Sequence, residues 1–164
     1  MGMNRDLKMK IFVIMVVAIV TTNFSSPSSE GGGLLDTKPQ APIISPTYSF
    51  EDLLDAIEQV ESNGDPDAVG DNSNAVGSFQ IHKIYVDDVN RILDGKRYSY
   101  LDRLSPHLSR QMVKMYIWHY ATKKCLKQEP TLEDMARIHN GGPNGYKKPC
   151  TIKYWIKVKK ELAK

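Results

Sequence analysis

Cysteine is nearly absent from this chain: Cys125 and Cys150 are the only two in 164 residues, and the four histidines (His82, His107, His119, His139) are scattered. Neither residue type shows the close spacing of a zinc site, so no metal is expected, and nothing else in the sequence calls for a cofactor. Long apolar runs are also scarce. The one example, Ile11 to Val20, is about half of what a membrane crossing needs, so no stable membrane span is predicted. A net charge of only +3, with no Arg- and Lys-rich run interleaved with aromatics, argues against a nucleic-acid binder. No serine or cysteine stands at a recognisable nucleophile elbow, and His82 and His139 are given no catalytic part for that reason. What remains, at 41% hydrophobic and 25% charged residues, is the composition of an ordinary globular chain with one domain.

The amino end carries Arg5, Lys8 and Lys10 ahead of the apolar run, which reads as a signal peptide over residues 1–24 of a secreted protein. No Ala-x-Ala cleavage site is present, so cleavage falls somewhere among the small residues from Thr21 to Ser29, and an uncleaved anchor is the alternative. Residues 25–48, rich in Ser, Gly and Pro, read as a flexible linker. The folded domain is then 49–164, expected as a monomer. Export into an oxidising compartment permits a disulfide between Cys125 and Cys150, which is favoured here over two unpaired thiols.

Within the domain, Ser49-Phe50-Glu51-Asp52 resembles a capping box, and Leu53, Leu54, Ile57 and Val60 follow at helical spacing. Glu61, four residues after Ile57, falls on or beside that apolar face, whereas Glu58 points elsewhere. Asn63-Gly64-Asp65-Pro66 stops the helix. Val69 to Ile81 suggests a small irregular hairpin or loop. Further helices are predicted over Tyr85 to Leu93, after Ser105-Pro106, after Thr131, and after Thr151, where Tyr154, Trp155, Val158 and Leu162 form a stripe. The sum is an α+β, mainly helical domain with a minimal β-hairpin.

Glycosidic hydrolysis calls for a protonated carboxylic acid beside the leaving oxygen and usually a second carboxylate. Glu61 and Asp71 offer that pair. Glu61 lies against an apolar face in a stretch, Glu51 to Asp71, with eight acidic residues and no Lys or Arg, and both burial and neighbouring negative charge favour a protonated acid. Asp71, in Gly70-Asp71-Asn72-Ser73-Asn74, sits in a polar turn that keeps a carboxylate solvated and ionised. A glutamate at a helix end is far more often a surface residue, so this pair alone decides little. Lys147 to Lys164 holds seven Lys against Glu161, which suits either a solvated helix face or adsorption to an anionic cell wall.

The order of several motifs carries more weight. Glu61-Ser62, Gly70-Asp71, Gly77-Ser78-Phe79-Gln80-Ile81-His82 and Ala136-Arg137-Ile138-His139-Asn140-Gly141-Gly142-Pro143, followed by Thr151, Tyr154, Trp155 and Val158, resemble the invertebrate-type (destabilase) lysozymes. A looser likeness extends to lytic transglycosylases and goose-type lysozymes. The resemblance implies a lysozyme-like fold acting on bacterial peptidoglycan strands, at the β-1,4 bond between N-acetylmuramic acid and N-acetylglucosamine. It matches Glu61 to the proton donor and Asp71, to within about one residue of alignment, to the second carboxylate. It places Gln80 and Asn140 at the substrate, with Ser62 beside them as a helix-end hydrogen-bond donor rather than a nucleophile; Gln80 is equally suited to tying its own loop. Tyr154 and Trp155 fit core packing better than sugar stacking. The chain departs from the disulfide-dense family pattern in keeping two cysteines, which throws its stability onto the core. The alternatives are a lytic transglycosylase forming 1,6-anhydro ends and a non-catalytic wall-binding module.

Overall fold

The computed structural model describes residues 47–164. The expected signal peptide (1–24) and linker (25–48) lie outside the described residues, apart from Thr47 and Tyr48. Six α-helices follow in order: α1 (Phe50–Ser62), α2 (Lys83–Ile92), α3 (Pro106–Tyr120), α4 (Lys123–Leu126), α5 (Leu132–Gly141) and α6 (Ile152–Leu162). Between α1 and α2 lies one antiparallel pair, β1 (Val69–Gly70) and β2 (Ala75–Val76), with Val69 opposite Val76 and Gly70 opposite Ala75. The mainly helical α+β class read from the sequence is what the chain adopts.

Local chemistry explains where the helices begin. The Ser49 hydroxyl accepts from the Asp52 N–H (3.1 Å) while the Asp52 carboxylate accepts from the Ser49 N–H (2.7 Å), a reciprocal cap that satisfies two otherwise orphaned donors. Thr131 and Asp134 repeat the device at α5, and α3 starts with Ser105 as cap and Pro106 in the first turn. Leu53, Leu54, Ala56 and Ile57 bury one face of α1, which packs against α6 and α5. Asn63, in the left-handed region (φ 58), ends the helix. On α6 the stripe is as expected, with Val158 fully buried and Tyr154, Trp155 and Leu162 packed around it, while Lys153, Lys157, Lys159 and Lys160 face solvent.

Two expectations need correction. Thr151 does not cap α6: its backbone is already helical (φ −82, ψ −9), continuing a 3-10 turn into the helix, whereas a cap needs extended backbone. Its buried hydroxyl instead takes the Arg137 Nε–H (3.0 Å) and donates toward the Gly145 and Lys148 carbonyls (2.8 Å each). Cys125 and Cys150 are not bridged; both are free and exposed. Cys125 sits on the single turn α4 between its cap Thr122 and the left-handed Lys127, and Cys150 lies in the 3-10 turn before α6. Their neighbourhoods are joined by the Tyr146 hydroxyl, which donates to the Cys125 carbonyl (3.3 Å).

The hairpin depends on a residue that local sequence does not single out. Arg103, buried and without a carboxylate partner among the described residues, donates to the carbonyls of Tyr100 (2.7 Å), Asn74 (3.1 Å) and Ile81 (2.9 Å). The Gly77 backbone lies so close to the Arg103 carbonyl that a Cβ there would collide with it. Replacing Arg103 with Ala is expected to lower stability by about 3 kcal/mol, because carbonyls that bond a charged donor are left unsatisfied in the interior. Urea denaturation checks this. Arg110→Ala, which removes ion pairs to the more exposed Glu51 and Asp55, should cost clearly less.

Candidate active site

A cleft of about 920 Å³ opens where the last turn of α1, the hairpin, α2 and the end of α5 converge, and Glu61, Asp71, Gln80, His82, Tyr85, His139 and Asn140 all line it. Glu61 comes from α1 with its side chain only 18% exposed. That is the consequence of the helical register: Ile57, one turn earlier, is completely buried. Asp71 comes from the hairpin tip with a side chain 58% exposed. The tip places Asp71, Asn72 and Ser73 at positive φ (45, 50 and 69), a run of left-handed non-glycine residues that costs energy at each step and is held by its surroundings. His82 Nε2 lies 3.4 Å from the Asp71 carboxylate, an ion pair whenever that imidazole is protonated.

The wall behind Glu61 is aromatic. His139 Nε2 stands 3.5 Å from Glu61 Oε1 with its side chain 4% exposed, and its other ring nitrogen faces the Tyr85 hydroxyl at 3.4 Å. Tyr85 in turn stacks on Tyr116, centroids 3.9 Å apart. Burial, reinforced by nearby Tyr116, Asp88 and Glu61, pushes the Tyr85 phenol well above the usual tyrosine range. Burial likewise raises Tyr154, with the Glu61 charge and a contact between the Tyr154 hydroxyl and the Glu61 carboxyl adding to it. Along the same cleft, Asp88 accepts from the Tyr120 hydroxyl (2.6 Å) and from Arg91 (2.5 Å), and burial with the Asp88 contact pushes Tyr120 up to about 12.

The remaining expected site residues divide. Asn140 is exposed at the cleft edge, carried by the turn in which Gly142 takes φ 80 and Lys148 Nζ donates to the Gly141 carbonyl (2.7 Å). Gln80 and Ser62 spend their donors on the scaffold. Gln80 Nε2 donates to the carbonyls of Ala68 (3.1 Å) and Gly77 (2.9 Å), and the Ser62 hydroxyl donates to the Ser78 carbonyl (2.8 Å), fastening α1 to the hairpin. Sequence reasoning gave no part to His139 and did not weigh Tyr85. Both stand beside Glu61, and their positions on the inner faces of α5 and α2 were the available clue.

A destabilase family model matches residues 51–161. The chain belongs to the destabilase family. Invertebrate-type lysozyme 6 of Caenorhabditis elegans is 33% identical to this chain over 122 residues, covering 69% of the chain and 87% of the relative. A lysozyme of Magallana gigas is 62% identical over a 26-residue stretch, 16% of this chain and 19% of the other. Among solved structures, a chain of the crystal structure of Aeromonas hydrophila PliI in complex with Meretrix lusoria lysozyme superposes with a TM-score of 0.57 at 29% identity, covering 67% of this chain and 88% of that one. The fold is lysozyme-like.

Gln80 tests the scaffold reading. Gln80→Leu removes both loop ties, so stability should fall by about 1–2 kcal/mol and proteolysis within the hairpin should quicken. A rise in KM with stability and proteolysis unchanged would instead make Gln80 a substrate contact.

Proposed function

We propose that this protein is a secreted hydrolase of bacterial peptidoglycan, cutting the β-1,4 bond between N-acetylmuramic acid and N-acetylglucosamine, with Glu61 as general acid and Asp71 as second carboxylate. The observation that carries this reading is the contrast between two carboxylates on one cleft: Glu61 withdrawn against an aromatic wall, Asp71 exposed on a polar tip. A carboxylic acid held away from water can keep a proton for the leaving oxygen, while a solvated carboxylate stays ionised to stabilise or trap the developing oxocarbenium ion. The relatives in Caenorhabditis elegans and Magallana gigas, both named lysozymes, support the reaction class. A further hollow of about 670 Å³ shares Asp87 and Arg91 with the cleft and continues toward Tyr98 and Tyr100, which suits a long polymer rather than a small metabolite.

A lytic transglycosylase is the nearest alternative. It forms its anhydro end from the sugar's own hydroxyl and makes no demand on Asp71. Hydrolysis is favoured here because the strained tip holds Asp71 at the cleft, and unfavourable backbone geometry of this kind accumulates at functional positions. A purely wall-binding module would have no use for either carboxylate. Glu61→Gln keeps the side-chain shape and removes the transferable proton, so cleavage of purified peptidoglycan should fall nearly to zero with circular dichroism unchanged. Asp71→Asn should lower turnover by a factor on the order of a hundred or more. Reducing N-acetylmuramic ends among the products support the hydrolase; anhydro ends, with Asp71→Asn still active, support the transglycosylase.

The exposed lysines of α6 supply the contact with an anionic wall. Changing Lys157, Lys159 and Lys160 to Glu should weaken binding to whole bacterial cells, chiefly at low salt, where charges act over about 30 Å. Unchanged low-salt binding would reduce those lysines to a solvated helix face.

A further inference from the structure

Among the described residues, His139 is a buried titratable group that the proposed reaction leaves unused, although its ring is wedged between the acid and a phenol. Its Nε2 faces Glu61 Oε1 at 3.5 Å, its Nδ1 faces the Tyr85 hydroxyl at 3.4 Å, and its side chain is 4% exposed. We infer that His139 is a positioning residue for the catalytic acid: Tyr85 sets the imidazole tautomer, and the imidazole fixes which oxygen of Glu61 carries the transferable proton. The inference rests on the reading of Glu61 as the acid.

A neutral imidazole has one N–H and one bare nitrogen, and the neighbour of each decides which is which. Tyr85 is buried, stacked on Tyr116, and held protonated by its surroundings. A phenol in that state offers its O–H to Nδ1, which leaves the ring proton on Nε2, facing Glu61. The Nε2–H then faces the Glu61 carboxyl, whose Oε1 is 3.5 Å away. A carboxylic acid has one proton, and placing it on Oε1 would set two hydrogens against each other. It therefore resides on Oε2, free of the imidazole and available to the leaving oxygen. At 3.4 Å the Tyr85 contact is a long hydrogen bond, and at 3.5 Å the Glu61 contact is an ion-pair distance. Tyr154, whose buried hydroxyl also approaches the Glu61 carboxyl, closes the pocket.

The network has a built structural basis. α5 is held at its start by the Thr131–Asp134 cap, and beyond its end a Cβ on Gly145 would run into the Arg137 carbonyl, so that turn presses directly on the helix. α2 places Tyr85 and α3 places Tyr116. α2 and α5 thus bring their rings to one carboxylate, and α3 backs Tyr85 with Tyr116. Simple space-filling would need a ring in this position, yet would be indifferent to where its nitrogens point.

The test uses the full chain on purified peptidoglycan, with kcat and KM measured separately and thermal unfolding recorded for each variant. His139→Leu fills similar space without an N–H and is expected to lower kcat about tenfold to a hundredfold, with KM within about twofold of wild type. His139→Gln, which restores an amide N–H at similar reach, should recover most of that rate. Tyr85→Phe keeps the stack and removes only the hydroxyl; it should lower kcat severalfold with little change in unfolding temperature. Equal losses in His139→Leu and His139→Gln, or losses that follow the folded fraction, would make the residue a packing element and overturn the inference. If His139→Leu fails to fold, Tyr85→Phe decides, and an unchanged kcat in that variant overturns it. Glu61→Gln in the same assay separates the two levels: activity retained there removes the reading of the acid itself, whereas an inactive Glu61→Gln beside fully active His139 variants removes only the positioning role.

Discussion

The burial of one face of α1 determines where Glu61 stands. Leu53, Leu54 and Ile57 are completely removed from solvent, and with 3.6 residues per turn that row leaves Glu61 a single direction, along the same face and one turn beyond Ile57. The Ser49–Asp52 cap fixes the first turn and Asn63 the last, so the register has nowhere to slip. A shift of one residue would swing the face by about 100 degrees and bring Val60 or Ser62 to the cleft instead. The apolar stripe that folds the domain is therefore also what aims the Glu61 carboxyl into the cleft.

The second carboxylate is held on a different principle. Asp71 has no helix beneath it and almost no sheet, only two residue pairs between β1 and β2 and an isolated bridge from Val76 to Ile81. Side chains supply the order that the ladder lacks. Arg103 grips carbonyls on both sides of β2, Gln80 ties Ala68 to Gly77, and Ser62 fastens the hairpin to α1. Three consecutive left-handed residues persist because these bonds leave the chain little alternative. One carboxylate thus inherits its position from a packed helix, and the other from a loop tied down at several points.

This division explains what the sequence revealed. Helix starts were legible because caps and apolar periodicity are local: Ser49 to Asp52, Ser105-Pro106 and Thr131 to Asp134 each announce themselves within four residues. So was the approximate place of Glu61. The bonds that complete the site join residues far apart in the chain, with Tyr85 and His139 separated by 54 positions and Arg103 and Asn74 by 29, and such contacts leave no periodicity to read. Gln80 and Ser62 look like substrate donors in a motif, yet in three dimensions backbone carbonyls stand within their reach. Thr151 illustrates the same limit in reverse: a residue type suited to capping is claimed by Arg137 and by the carbonyls of a preceding turn.

Charge shows the largest gap between chain order and space. The acidic stretch from Glu51 to Asp71 suggests that Glu61 sits in a field of its own sign. In the folded chain, Arg110 lies against Glu51, Asp55 and Glu58, and Lys114 against Glu51, so α3 supplies the cations that the acidic helix lacks. Those carboxylates belong to a different side of α1 from the one that carries Glu61 into the cleft. The surroundings of the acid are made by His139, Tyr85 and Tyr154, brought by three other helices. Acidic residues crowded along the sequence are thus neutralised from outside, and the surroundings of Glu61 are assembled from rings. That is why the setting of Glu61 is a tertiary property of the fold.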